Sequence, residues 1–227
     1  MNFQNKIISL QSISKSFKDQ QVLKDITFDF FEQENIALVG KNGSGKSTLI
    51  DIIANLLKPD KGEVIYYNNI SSSTFLTKAG FMFQENFLPP LLKVKDYINF
   101  CLISKNIKMS KDEILKSLEI LKIDKTWNKD FSKLSGGQKQ KVNFFLSLLG
   151  KPKIVFLDEF LSFMDNETTK NVIEYLQDLT KNKKTTLIIV SHNFDSIEKL
   201  VDKVVALKDG KLTKYSKQKF KDLNLFL

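Results

Sequence analysis

Residues 40–48 read GKNGSGKST, and the segments on either side of them indicate how the chain folds. The five residues before this stretch, NIALV at 35–39, form a short apolar run that is typical of a buried parallel strand. After it, apolar side chains recur at helical spacing, which predicts a helix that continues until Pro59. A strand, a glycine-rich turn and a helix in this order predict a phosphate-binding loop.

The residue types of this loop suit the chemistry of phosphate binding. Glycines let backbone amides wrap a phosphate chain where a Cβ would collide, and the helix N-terminus adds partial positive charge. Lys46 supplies a full charge for the β- and γ-phosphates, and the Ser47 hydroxyl can bind Mg²⁺. The alternative, an ordinary glycine-rich turn, does not explain the fit to G-x-x-x-x-G-K-[ST]. The predicted nucleotide-binding residues are Gly40, Lys41, Asn42, Gly43, Ser44, Gly45, Lys46, Ser47 and Thr48.

Composition limits the class of protein. The length of 227 residues fits one large α/β domain, and the single Cys101 excludes an internal disulfide framework and suits a reducing compartment. The first ten residues lack the apolar core of a signal peptide. No apolar run approaches the roughly 18 residues of a membrane-spanning helix, so we expect no spanning segment.

The net charge of +9 comes from 35 basic residues, all of them lysine. A basic balance can indicate nucleic acid or an anionic membrane surface. The absence of arginine argues against base readout, because bidentate arginine is its commonest tool. We therefore favour compositional drift and expect no specific nucleic-acid partner. The chain also has no arginine to present to a γ-phosphate.

The remaining patterns predict an α/β fold. Residues 85–150 differ from the rest because helical periods dominate there, and we interpret them as an α-helical insertion. Residues 68–73 are expected to be a polar loop, 167–181 an amphipathic helix, and the apolar tail 220–227 is expected to dock on the domain. The other predicted strands are 7–10, 21–31, 63–67, 80–84, 154–157, 187–190 and a hairpin over 204–214.

A second chemical site follows the apolar run 154–157. Its two carboxylates, Asp158 and Glu159, come at the C-terminal end of a buried strand, where ligands bind in parallel sheets. Asp158 can hold Mg²⁺, and Glu159 can polarise a water that attacks the γ-phosphate. Acidic residues at the end of a strand often only cap a helix. The pattern indicates a catalytic site here because the same chain contains a phosphate-binding loop.

A third site is the stretch LSGGQ at 134–138. Ser135 and Gln138 have capping-box spacing, which by itself predicts a plain helix start over 138–149. That interpretation leaves Gly136 and Gly137 unexplained, because glycine costs about 1 kcal/mol relative to alanine inside a helix. Two glycines at a helix N-terminus permit close approach to an anion, so we expect a phosphate group to dock there.

The chain resembles the ATP-binding subunit of ABC transporters in three motifs: GKNGSGKST, LSGGQ and IVFLDE. The resemblance covers the chain from Phe17 to about Lys214. It implies a P-loop NTPase of the ABC type, with a mixed sheet core, an antiparallel N-terminal edge and an α-helical insertion. The whole chain, 1–227, would be one domain, with a core of 1–84 plus 151–227 and an insertion of 85–150.

The resemblance also implies roles for residues outside the loop, each with an ordinary structural alternative. Phe17 would stack on adenine, or be a core residue. Gln84 would reach Mg²⁺ and couple the core to the insertion, or be a polar strand end. Asp165 would communicate with the ATP of a partner subunit, or cap the next helix. His192 would contact the γ-phosphate, or be structural. The signature residues that would close on the partner's ATP are Ser135, Gly136, Gly137 and Gln138.

The loop after Glu159 departs from the family pattern. Phe160 stands where the family usually has proline, and Phe163 stands where it usually has a small residue. Losing the proline frees φ at this position, and two phenylalanines are expected to enlarge the loop. These departures are expected to affect the rate of hydrolysis and the coupling between sites, and to leave ATP binding unchanged.

The function that the resemblance implies is ATP hydrolysis that powers an ABC transporter, with ATP and Mg²⁺ as cofactors. The partners would be transmembrane permease subunits and a second ATP-binding subunit, in a homodimer or heterodimer, at the cytoplasmic face of the membrane. The similarity of residues 88–97 and 191–200 to exporter subunits favours export. The alternatives are a soluble ABC ATPase acting on nucleic acid or ribosomes, and a regulatory module that barely hydrolyses ATP.

Overall fold

The strand before the glycine-rich loop lies inside a six-stranded sheet. This computed structural model describes residues 5–67, 70–83, 91–162, 164–183, 185–191 and 194–222. The strands of the larger sheet, in spatial order, are β5 (Ala79–Met82), β6 (Ile154–Asp158), β7 (Thr186–Val190), β3 (Ile36–Val39), β8 (Lys203–Lys208) and β9 (Lys211–Ser216). All neighbours are parallel except β8 and β9, which form the predicted hairpin. Every residue of β3, β6 and β7 is buried, as strands covered on both faces require.

The N-terminal strands form a smaller antiparallel sheet of their own. It contains β1 (Lys6–Phe17), β2 (Gln20–Phe31) and β4 (Lys61–Tyr66), with β1 in the middle. Alternate residues of β3 contact two different cores. Ile36 and Leu38 pack with the smaller sheet, whereas Ala37 and Val39 pack with helices from the second half of the chain. The predicted α/β fold with a mixed sheet and antiparallel N-terminal strands is confirmed.

The helices cover both sides of the larger sheet. They are α1 (Lys46–Ile53), α2 (Ser72–Lys78), α3 (Val94–Ser104), α4 (Lys111–Ile120), α5 (Gly136–Ser147), α6 (Asn166–Lys183), α7 (Phe194–Ile197) and α8 (Lys217–Asp222). Among the helices that the structure describes, none has the length and apolar character that crossing a bilayer requires. Helices α3, α4 and α5 all belong to segment 85–150, and its assignment as an insertion into the core stays a prediction.

Helix α1 ends six residues before Pro59, so the prediction that it continues to the proline is wrong. Asn55 adopts φ +56°, a left-handed conformation that asparagine tolerates better than most residues. The Asn55 amide donates to the Ile52 carbonyl (3.0 Å) and the Leu56 amide to the Asp51 carbonyl (2.9 Å), which is a Schellman ending. As a result, Leu56 leaves the apolar face and is 65% exposed.

Helix α2 begins inside the segment expected to be a polar loop, so that prediction is wrong for residues 72 and 73; residues 68 and 69 lie outside the described part. The Ser71 hydroxyl caps the helix by accepting from the Thr74 amide at 3.2 Å. Phe75 is fully buried and stacks on Tyr66 with 4.3 Å between ring centroids. The serine-rich sequence therefore works as a helix start.

The C-terminal segment docks on the domain through Phe220. This side chain is fully buried, and its ring centroid lies 5.3 Å from that of Phe194. The predicted docking of the tail is confirmed at this residue, while residues 223–227 lie outside the described part.

Gly80 permits a close approach between β5 and the end of α5. A Cβ at this position would lie 1.9 Å from the carbonyl oxygen of Ser147. We expect Gly80→Ala to lower the free energy of unfolding by about 1–3 kcal/mol, because backbone must move to admit the methyl group. Urea denaturation measures this change.

Gly136→Ala is the matched control, because a Cβ there meets nothing within 4 Å and lies at the start of a helix. We expect it to leave stability unchanged or to raise it by up to about 1 kcal/mol. Equal stability of the two variants would contradict the close packing of β5 on α5.

Candidate functional site

The glycine-rich loop borders a cleft of about 870 Å³, within the usual size range of small-molecule sites. The cleft joins the loop to the end of β6 and to the end of β1. It is lined by Phe17, Val22, Asn42, Gly43, Gly45, Lys46, Ser47, Thr48, Gln140, Asp158, Glu159, Ser162 and Val190. Most of the predicted loop residues therefore share one site with both predicted carboxylates. Gly40, Lys41 and Ser44 border a separate pocket next to β8 and β9.

Gly45 shows why the loop needs glycine where the helix begins. It is the N-cap of α1 with φ +103°, and a Cβ there would lie 2.6 Å from Cγ1 of Val22. No side chain caps the helix at this residue. The amides of the first turn and their partial positive charge are thus available to an anion in the cleft.

The Lys46 ammonium is held at the loop. Only 8% of the residue is exposed, and Nζ donates to the carbonyl oxygens of Gly40 (2.8 Å) and Lys41 (3.1 Å). Burial lowers the pKa of Lys46, and the charges of Asp158 and Glu159 oppose that change. The ammonium can exchange its neutral carbonyl partners for phosphate oxygens without entering bulk solvent.

Ser47 and Asp158 bring two oxygen atoms together at the base of the cleft. The Ser47 Oγ donates to Oδ2 of Asp158 at 3.4 Å, and Asp158 is buried at the last position of β6. A hydroxyl and a carboxylate are the kinds of oxygen ligand that Mg²⁺ takes beside phosphates and water. The donor set therefore fits Mg²⁺, with Ser47 and Asp158 as the residues that would hold it.

Glu159 enters the cleft from an unusual backbone conformation. Its φ is +49°, and its amide donates to the carbonyl of Val190 at 3.0 Å. Its Oε2 accepts from the Ser162 hydroxyl at 3.3 Å. A carboxylate fixed at both backbone and side chain next to a phosphate-binding loop can act as a general base on water.

Phe17 lies at the end of β1 and is 48% exposed, so the alternative that it belongs to the core is wrong. Its ring borders the cleft, and the Nζ of Lys15 lies 5.7 Å from the ring centroid. An exposed aromatic face at the rim of a nucleotide-sized cleft can stack on a base.

The signature stretch begins α5 and lies outside the cleft of its own chain. The predicted capping box is present: the Gln138 amide donates to Ser135 Oγ (3.3 Å), and the Ser135 amide donates to Gln138 Oε1 (3.1 Å). None of residues 135–138 lines the cleft. The space beside Gly136 is open. This helix start is therefore available to a group from outside the chain.

Asp165 caps α6, as its structural alternative predicted. Oδ1 accepts from the Thr168 amide (2.9 Å) and Oδ2 from the Thr168 hydroxyl (2.8 Å). These hydrogen bonds, with the charges of Lys122 and Lys141, hold the pKa of the Asp165 carboxyl well below its usual range. Asp165 does not line the cleft, and its role toward a partner's ATP stays a prediction.

Phe160 does not enlarge the loop, so that expectation is wrong for this residue. The side chain is 1% exposed and its ring stacks on Phe144 of α5, with 5.6 Å between centroids and 12° between planes. Phe163, Gln84 and His192 lie outside the described residues, and their assigned roles stay predictions.

Sequence reasoning missed four residues of the cleft: Val22, Gln140, Ser162 and Val190. Gln140 is a polar residue on a buried face of α5, and that mismatch between polarity and burial is the signal that would have pointed to it. Ser162 comes three residues after Glu159, within reach of its carboxylate. Val22 and Val190 give no chemical signal, because they only close the cleft.

The chain resembles known proteins in sequence and in fold. The family model for ABC transporters matches residues 23–162. The spermidine/putrescine import ATP-binding protein PotA of Mycoplasma capricolum is 33% identical over 211 residues, which are 91% of this chain. The chain spans only 60% of the length of that relative.

Solved structures show the same fold. An ATP-binding subunit of an ABC transporter superposes with a TM-score of 0.85 at 22% identity, covering 96% of this chain and 94% of the other. The dimeric bacterial ABC transporter cassette MJ0796 gives a TM-score of 0.81 at 27% identity, covering 92% and 98%. A second structure of MJ0796, in a post-hydrolysis state with ADP and Pi, gives 0.81 at 26% identity, covering 92% and 98%.

Replacing Lys46 tests the phosphate-binding role of the loop. We expect Lys46→Ala to weaken ATP binding by about 10–100-fold, because the variant loses hydrogen bonds from a charged donor. Titration calorimetry measures the affinity. Lys61→Ala, which removes an exposed lysine of β4, should bind ATP as the wild type does. Equal affinities for both variants would contradict the assignment of the loop.

Proposed function

The chain belongs to the ABC transporter family as an ABC ATPase domain, and on that premise we propose that it hydrolyses ATP to drive transport through membrane-embedded partner subunits. The observation that supports this most strongly is the convergence of Lys46, Ser47, Asp158 and Glu159 in one cleft. Those four side chains supply a cation for the phosphates, a magnesium site and a base.

Each residue has a distinct task in the proposed reaction. Phe17 stacks on adenine, while the loop amides and Lys46 hold the phosphates. Ser47 and Asp158 would hold Mg²⁺, which would draw charge from the phosphate oxygens. Glu159 accepts the proton of the water whose oxygen attacks the γ-phosphorus. The bond from that phosphorus to the β–γ bridging oxygen breaks, and ADP and inorganic phosphate result.

We further propose that two such domains share two ATP molecules. The γ-phosphate needs more positive charge than Lys46 provides, and the chain has no arginine. The start of α5 can supply amide donors, but it lies outside the cleft of its own chain. The dimeric form of MJ0796 supports a dimer. In that dimer, residues 135–138 of one subunit would meet the ATP of the other.

The partners follow from the family. We propose transmembrane permease subunits, which place this chain peripherally at the cytoplasmic face of the membrane. The preference for export gains no support, because the relative with 33% identity is named as an import protein. The permease subunits would determine which substrate is transported and in which direction.

Glu159→Gln tests hydrolysis and dimer formation together. The amide keeps the size of the side chain but cannot accept a proton, so we expect turnover to fall by about 10²–10⁴-fold. ATP binding should survive, because Lys46, Ser47 and the loop amides are unchanged. Since bound ATP is no longer removed, the variant should accumulate as an ATP-dependent dimer, which gel filtration with ATP and Mg²⁺ detects.

Ser135→Arg in the Glu159→Gln background is the control for the interface. The arginine adds bulk at the start of α5, so the double variant should bind ATP and stay monomeric. A Glu159→Gln chain that hydrolyses ATP at the wild-type rate, or that stays monomeric at saturating ATP, would refute the two-site mechanism.

Copurification tests the partners. We expect a tagged chain, solubilised from membranes in mild detergent, to retain a membrane protein with several spanning helices, identified by mass spectrometry. A set of ribosomal proteins or bound nucleic acid, with no membrane protein, would instead support the soluble ABC ATPase.

A further inference from the structure

Helix α5 contacts both ends of the segment that follows β6, which we call the Glu159 loop (residues 159–162, 164 and 165). At its start, Phe160 stacks on Phe144. At its end, the Nζ of Lys141 lies 3.6 Å from Oδ2 of Asp165. Lys141 and Phe144 are three residues apart and so share one side of the helix. Helix α5, which begins with the signature residues and which we call the signature helix, therefore contacts the Glu159 loop with one of its faces.

The contact of Phe160 is the stronger of the two. Phe160 and Phe144 are 1% and 2% exposed, and a buried aromatic pair removes a large apolar area from water. The Asp165 side chain is 51% exposed, and an ion pair in that position contributes little because solvent screens it. Phe160 is therefore the residue that fixes the loop to α5.

The stack has a direct consequence for Glu159, its neighbour in the chain. Glu159 has φ +49°, a left-handed conformation that is uncommon for residues other than glycine. On one side, the amide of Glu159 donates a hydrogen bond to the carbonyl of Val190. On the other side, Glu159 is bonded to Phe160, whose ring is buried. The backbone of Glu159 is thus held between a strand and an aromatic stack.

Phe144 also lines a pocket of about 350 Å³ between α4, α5 and α6, whose walls include Phe145, Leu148 and Val172. Removing either ring of the stack deletes the buried contact between Phe160 and Phe144. The Glu159 loop then loses its anchor on α5.

We propose that Phe160 is a positioning residue for Glu159, which it holds in place by stacking on Phe144 of the signature helix. This inference rests on the proposed role of Glu159 as general base. The anchored side chain of Phe160 constrains the backbone directly after Glu159.

The test uses Phe160→Ala, Phe144→Ala and the double variant. We expect kcat to fall by about 10–100-fold in each single variant, because a displaced base costs turnover. The dissociation constant for ATP should stay near the wild-type value, because neither ring lines the cleft. The double variant should be no slower than the slower single variant, because both changes remove one contact.

Phe75→Ala is the matched control. It also removes a buried ring from an aromatic pair, that of Tyr66 and Phe75, in the core on the other side of the sheet. We expect a comparable loss of stability with wild-type kcat. Phe160→Leu keeps most of the apolar volume, and it reports on the stack if the alanine variants fold poorly; its kcat should also fall.

The outcomes separate this inference from the proposed function. A Glu159→Gln variant with wild-type turnover refutes the base itself. An inactive Glu159→Gln variant with unchanged kcat in Phe160→Leu and Phe160→Ala overturns only the positioning role. A fall in kcat that Phe75→Ala shares, or losses that add in the double variant, would also overturn it.

Discussion

The parallel register at Val190 is the constraint on which the site depends. This residue pairs with Leu38 of β3 on one side and with Asp158 of β6 on the other. The hydrogen-bonded sheet thereby aligns the end of β3, where the glycine-rich loop begins, with the end of β6, where the carboxylates lie. The Val190 carbonyl also accepts a hydrogen bond from the Glu159 amide. One strand end therefore sets the distance between the phosphate-binding and the acidic parts of the cleft.

Local patterns were sufficient to predict the structure of the segments that we assign to phosphate binding. The loop at residues 40–48, the capping box of Ser135 and Gln138, and the buried strand before Asp158 each depend on neighbours close in sequence. The sequence could not show where α1 ends, because its hydrophobic pattern continues past Asn55 while the backbone adopts a left-handed turn there. The left-handed turn at Asn55 ends α1 although the hydrophobic periodicity continues beyond it.

The missed residues differ in how far their contacts lie along the chain. Ser162 is local to Glu159, whereas Gln140 reaches the cleft because α5 packs against the Glu159 loop, and no spacing rule reports that packing. Phe160 was expected to enlarge the loop because phenylalanine is larger than proline. Its ring instead fills a place in the core beside Phe144, which is an interaction between residues 16 positions apart. A substitution that departs from the family thus acts through the core.

The contact at Gly80 determines how α5 can move. Ser147, in the last turn of the helix, presses on β5 so closely that no Cβ fits between them. That end of α5 is therefore fixed to the sheet, while the Ser135 end is about 18 Å away along a helix of 12 residues. A tilt of about 10° about the Ser147 end would displace the Ser135 end by about 3 Å. The close contact at Gly80 therefore confines any such displacement to the end of α5 that carries the signature residues.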